Sequence, residues 1–88
     1  GDILSRQVLR SGTSIGANVE EATGAFSKDD FTYKMSTALK EARETDYWLR
    51  LTRDSKIIPA DRLEVLMREA EEIKKILGAI VRSSRARR

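Results

Sequence analysis

The sequence contains no cysteine and no histidine. The first absence excludes a disulfide framework, thiolate metal ligation and a cysteine nucleophile. The second removes the commonest general base, the Ser–His relay and imidazole ligation. Proline occurs once and glycine five times in 88 residues, so little interrupts long helices. No apolar run approaches the ~18 residues of a membrane span, and no charged segment followed by an apolar one opens the chain. A cytoplasmic, non-membrane protein without catalytic, cofactor or metal residues is expected.

Hydrophobic residues make up 40% and charged residues 35% of the chain, the balance of helices with one apolar and one solvated face. The net charge of +3 comes from 17 basic and 14 acidic residues. Arg82, Arg85, Arg87 and Arg88 all lie in the last seven positions, and residues 1–81 hold 13 basic against 14 acidic groups. Electrostatic attraction to nucleic acid therefore rests largely on the tail. A single domain of this length buries only about 60–65% of its unfolded surface, so a second source of burial is expected.

Apolar spacing predicts three long helices. The first, over residues 2–22, carries Leu4, Val8, Ile15 and Val19 on one stripe, with Ile3 and Leu9 beside it. Its middle, Ser11 to Ala17, is poor in helix formers and holds Gly12 and Gly16 four apart, which predicts a bend or a close helix contact. Ser27-Lys28-Asp29-Asp30 has the form of a helix start capped by Ser27, and Phe26 and Phe31 occupy the positions of a hydrophobic staple. The second helix runs over 28–54 with a seam of Phe31, Met35, Ala38, Ala42, Thr45, Leu49 and Thr52, spaced four and three apart. Leu39, Trp48 and Leu51 widen this face beyond what one neighbour requires and imply a second contact surface. Pro59 and Asp61 open the third helix, over 59–84, with a seam of Leu63, Leu66, Ala70, Ile73, Leu77 and Ile80. Its wet side offers the pairs Glu64/Arg68, Arg68/Glu72 and Glu71/Lys75. Residues 85–88 are expected to be a frayed basic tail. Short links between long helices require neighbours to run antiparallel. The expected fold is all-α, a single up-down antiparallel bundle of residues 1–88 with one helix position vacant.

Three stretches resemble a known family, the four-helix-bundle proteins named for the intervening sequences of 23S ribosomal RNA genes. Ser14-Ile15-Gly16-Ala17-Asn18-Val19-Glu20-Glu21 resembles the family's S-I-x-x-N-I-x-E signature, although Ala22 stands where many members have glycine. Ser27-Lys28-Asp29-Asp30-Phe31 is similar to the S-K-K-[DE]-F entry to the next helix. Ala38 to Leu49 resembles the form A-L-x-E-A-R-E-T-x-Y-W-L. The family's members carry about one more helix on the N-terminal side, so the resemblance implies either a short form or part of a longer polypeptide. It implies up-down four-helix bundles, often in homo-oligomeric rings of five. It also implies kinship to basic accessory proteins of diversity-generating retroelements, which cooperate with a reverse transcriptase and RNA.

The carboxylates do not form a catalytic constellation. Glu20 and Glu21 are adjacent and splay about 100° apart on a helix, and Glu41 and Glu44 share one face that either holds a hard cation or, since such sites usually need more oxygens, is simply solvated. Ser14 and Asn18 lie one turn apart, where Asn18 either bonds across the bundle and sets register or faces solvent near a helix end. Ser14, Asn18, Leu39, Trp48 and Leu51 are thus the candidate bundle or oligomer contacts. Lys40, Arg43, Tyr47 and Arg50 form a stripe on the second helix that either follows a phosphate backbone, with Tyr47 stacked on a base, or is a salt-bridged face. The pairs Lys40/Glu44, Asp46/Arg50 and Arg50/Asp54 serve the second alternative. Arg6 and Arg10 form another turn-spaced pair, which with Arg82, Arg85, Arg87 and Arg88 offers an anion-binding surface or simply solubility. Two functions follow: an assembly or scaffold protein that binds a macromolecular partner, and direct RNA binding at the ribosome or in a retroelement complex. No small-molecule substrate is implied.

Overall fold

The computed structural model describes residues 2–56 and 59–87, Asp2 by its backbone alone. Three helices occupy it: α1 (Asp2–Thr23), α2 (Lys28–Ser55) and α3 (Ala60–Ala86). No strand occurs among the described residues.

Each boundary has a local cause. The N–H groups of Gly24 and Ala25 donate to the carbonyls of Glu21 and Ala22 at 3.2 and 3.1 Å, closing the last turn of α1. Ser27 is extended, and its hydroxyl accepts the Asp30 N–H at 3.0 Å. Asp29 and Asp30 lie in the first turn of α2, where negative charge meets the positive end of the helix dipole. The expected staple is not made. Phe26 is fully exposed, while Phe31 packs against the core.

At the other end of α2, Lys56 takes a left-handed conformation, φ 59° and ψ 32°, and its N–H donates to the Arg53 carbonyl at 3.1 Å. A side chain at this angle crowds its own backbone, which glycine avoids. Lys56→Gly is therefore expected to raise stability by about 0.5–1 kcal/mol, seen as a higher urea midpoint at unchanged slope. An unchanged or lower midpoint would contradict this account of the cap. Pro59 stands just outside α3 as its N-cap residue, and Ala60 begins the helix. The middle of the link between α2 and α3 lies outside the described residues.

The helix α2 is the centre of the molecule. It packs against both α1 and α3, whereas no described Cα atom of α1 comes within 8 Å of one of α3. The overall extents, 44 × 20 × 14 Å, are those of a layer bent about α2. Residue pairings run in opposite chain directions. Ser11 meets Thr45 while Glu21 meets Lys34, and Asp46 meets Lys74 while Thr32 meets Ser84.

Two apolar clusters hold the layer together. One joins Ala22, Met35, Ala38, Leu39, Ala42, Leu77 and Val81, with Ile15, Val19, Phe31 and Ile80 against it. The other joins Leu49, Leu63 and Ala70, with Val8 and Met67. Small residues at Ala38, Ala42 and Thr45 form the α2 side of the seam, which lets helix axes approach closely.

Hydroxyl pairs cross the same interfaces. The Thr45 hydroxyl donates to Ser11 Oγ at 2.8 Å, and Ser11 Oγ in turn donates to the Gln7 carbonyl at 2.8 Å. Thr32 and Ser84 share a buried hydrogen bond between α2 and α3. No buried polar side-chain atom among the described residues lacks a partner.

Two expectations about helix continuity change. Gly12 and Gly16 sit in an unbroken helix, and a Cβ at either would meet nothing within 4 Å, so they mark no close contact within the chain. The third helix also runs beyond its expected end at residue 84. Buried Ser84 anchors α3 through Thr32, Arg85 donates to Ser36 Oγ at 3.3 Å, and Lys28 Nζ donates to the Arg87 carbonyl at 2.7 Å. The helix consequently continues through Ala86.

Candidate functional site

Because the backbones of α1 and α3 both lean on α2 and stay apart from each other, a groove runs between them. Its walls are Val8, Gly12, Ile15 and Gly16 from α1 and Leu66, Glu69, Ala70 and Ile73 from α3, over a floor of Ala42, Thr45 and Leu49. It extends past Leu66 toward Ser5, Leu9 and Thr52. Leu66 and Ile73 belong to the same seven-residue repeat of α3 but remain 45% and 40% exposed. The seam positions Leu63, Ala70 and Leu77 are buried against α2.

A second concavity, of about 450 Å³, lies between α2 and α3. Arg43, Asp46 and Arg50 project into it from α2, and Lys74, Lys75 and Arg82 from α3, over Leu39 and Gly78. Asp46 pairs with Arg50 at 3.4 Å and Lys74 at 3.6 Å, and Glu71 meets Lys74 at 2.9 Å. The hydrogen bond to Glu71 raises the Lys74 pKa against the opposing effect of desolvation, with Asp46 adding to the rise. The same bond lowers the pKa of Glu71. By sign, the Glu71 contribution is lost only as pH falls through its depressed pKa, and that of Lys74 only as pH rises through its elevated one. Neither of these two groups changes charge near neutrality.

Gly78 has a separate role in the cleft. A Cβ there would lie 3.2 Å from Arg82 Nη1, so the missing side chain makes room for the guanidinium across the helix surface.

The candidate residues divide between these surfaces. Arg43, Arg50 and Arg82 converge on the cleft, while Lys40 and Tyr47 do not line it. Tyr47 sets its ring edge-on to Trp48, with centroids 5.0 Å apart and planes at 69°. Arg10 is occupied on the α1–α2 flank by Glu41, Glu44 and Gln7. Arg6 and Arg10 belong to the half of α1 beside Leu49 and Thr52, whereas Arg85 reaches Ser36 near the opposite end of α2, so the structure does not join them into one surface. Arg87 gives its carbonyl to Lys28, and Arg88 lies outside the described residues.

The proposed contact residues are also redistributed. Asn18 donates to the Ser14 carbonyl at 2.9 Å and Ser14 Oγ at 3.3 Å, a bond along α1 rather than across the bundle. Leu39 is buried in the chain's own core, a bundle contact rather than an oligomer one. Trp48 is half-buried and donates its indole N–H to Glu44 at 3.0 Å, and Leu51 is 38% exposed outside the groove lining. Glu44 is thereby committed to Arg10 and Trp48, and the expected Lys40/Glu44 pair is not formed. Asp54 pairs with Arg53 and Glu71 with Lys74, replacing the expected Arg50/Asp54 and Glu71/Lys75 pairs. Sequence reading missed the Ser11–Thr45 and Thr32–Ser84 bonds, whose only signal is a hydroxyl residue placed on an apolar seam.

No helix of the described residues is long and apolar enough to cross a membrane. No cluster of three acidic side chains suited to a metal ion occurs among them.

The described residues form an all-α, three-helix layer with an open apolar groove and a basic cleft. The chain belongs to the 23S rRNA-intervening sequence protein family, whose model matches residues 2–79. A crystal structure from Bacteroides thetaiotaomicron, of a protein with unknown function from the S23 ribosomal protein family, has 47% sequence identity and a TM-score of 0.86. The match covers 90% of this chain and 73% of that one. No curated protein matches the chain.

Proposed function

We propose that this protein is a non-enzymatic assembly module: three helices of an up-down antiparallel four-helix bundle that works as a cytoplasmic homo-oligomer, presenting its outer surface to a macromolecular partner. The observation that carries this reading is the exposure of Leu66 and Ile73 along the α1–α3 groove. A helix supplied by another copy fits a groove walled by two helices and floored by a third, and it would provide the burial that an 88-residue chain lacks. A ring of five, as the family resemblance suggests, is one closed arrangement of such copies. Sedimentation equilibrium at micromolar concentration tests the proposal. A mass of several chains is expected, and a monomer would end the assembly reading.

A second reading, direct RNA binding at the ribosome or in a retroelement complex, is favoured by the convergence of cations from both α2 and α3 on one cleft.

A further inference from the structure

We infer that the α2–α3 cleft binds the phosphodiester backbone of a single-stranded nucleic acid, without reading its bases. This deepens the RNA-binding reading and rests on it, while remaining independent of assembly.

The charge is concentrated on both walls. Arg43 and Arg50 face Lys74, Lys75 and Arg82 across the opening, with Asp46 as the acidic member of the lining. Asp46 engages Arg50 and Lys74, and Glu71 engages Lys74 at the rim. Among the described residues, neither Arg43 nor Arg82 forms an ion pair with a carboxylate. These two guanidiniums therefore meet a ligand without first giving up an internal salt bridge.

Shape selects the class of anion. The cations from Lys74 to Arg82 span about 12 Å of α3 at 1.5 Å per residue, too long for one phosphate and suited to successive ones. The cleft is small, about 450 Å³, and its cations come from both helices, so one backbone can be met from both sides, whereas a duplex is too bulky to enter and meets only the rim. No aromatic side chain lines the cleft. With no stacking platform, contact is to phosphate, and binding should be indifferent to base identity.

The test uses fluorescence anisotropy with the full chain and labelled oligo(U), oligo(A), a duplex of equal length and poly-glutamate. Oligo(U) and oligo(A) should bind equally, more tightly than the duplex, with a single-strand salt slope of about 0.7 per phosphate contacted. Arg43→Ala with Arg82→Ala should reduce that slope by about 1.4 and weaken binding about tenfold at moderate salt. Arg62→Ala with Arg68→Ala removes the same charge outside the cleft and should leave the slope nearly unchanged. Circular dichroism should show both variants folded, since all four arginines are exposed. No binding of any nucleic acid at low salt would defeat both this inference and the RNA reading. Binding equally weakened by both variants would defeat the cleft alone, as would a preference for the duplex or equal affinity for poly-glutamate.

Discussion

Glutamate at both Leu66 and Ile73 is expected to leave a folded monomer where the unaltered chain is proposed to assemble. The two side chains are one heptad apart on α3, 45% and 40% exposed, and both line the open groove. Covering the remaining surface of each contributes about 2 kcal/mol, from an area coefficient near 25 cal/mol per Å². Their replacement removes that gain and forces two carboxylates toward an apolar partner, at a further cost of several kcal/mol. Together these exceed about 4 kcal/mol per interface, a weakening of about a thousandfold. Sedimentation equilibrium reads the effect directly, while circular dichroism should retain full helicity because neither position belongs to the buried core. A double variant with the wild-type mass would show that subunits meet elsewhere.

Leu63→Ala is expected to act in the opposite manner, through the fold itself. Leu63 is 1% exposed and belongs with Leu49 and Ala70 to the smaller cluster, where Val8 and Met67 complete its surroundings. Few side chains are available to collapse into the space it leaves. Loss of the buried leucine should cost about 2–5 kcal/mol, a large share of the roughly 5–15 kcal/mol that stabilises a typical domain. The thermal midpoint should fall by at least about 10 °C. Urea unfolding provides the free energy; a loss below about 1 kcal/mol would contradict the packing described for this end of the layer.

The comparison of these two leucines shows what was legible in the sequence. Spacing placed Leu63 and Leu66 on the same apolar side of a helix, but one is buried by α2 and the other faces an open groove. Periodicity reveals a stripe without revealing which of its neighbours is present. On α2, where both neighbours exist, the seam from Met35 to Thr52 is buried as its spacing predicts. Ser27 was equally readable because an N-cap bond closes within three residues.

Contacts between distant positions were not readable in this way. Lys34 reaches Glu21 and Arg10 reaches Glu44 because two helices bring them together, while spacing along one helix offers only its own i,i+4 candidates. The basic cleft is intermediate. Arg43 and Arg50 were visible as members of one stripe, but their convergence with Lys74, Lys75 and Arg82 depends on the register between α2 and α3.

The separation of α1 from α3 also bears on how the chain acquires its shape. Each of the two helix interfaces joins elements adjacent in sequence, and no pairing of first helix with last has to be found. Such local connectivity lowers the entropic cost of reaching the folding transition state and favours rapid folding. It also gives α2 a place in both hairpins, and because residues of α1 and α3 share the two apolar clusters on it, loss of α2 would dissolve both at once.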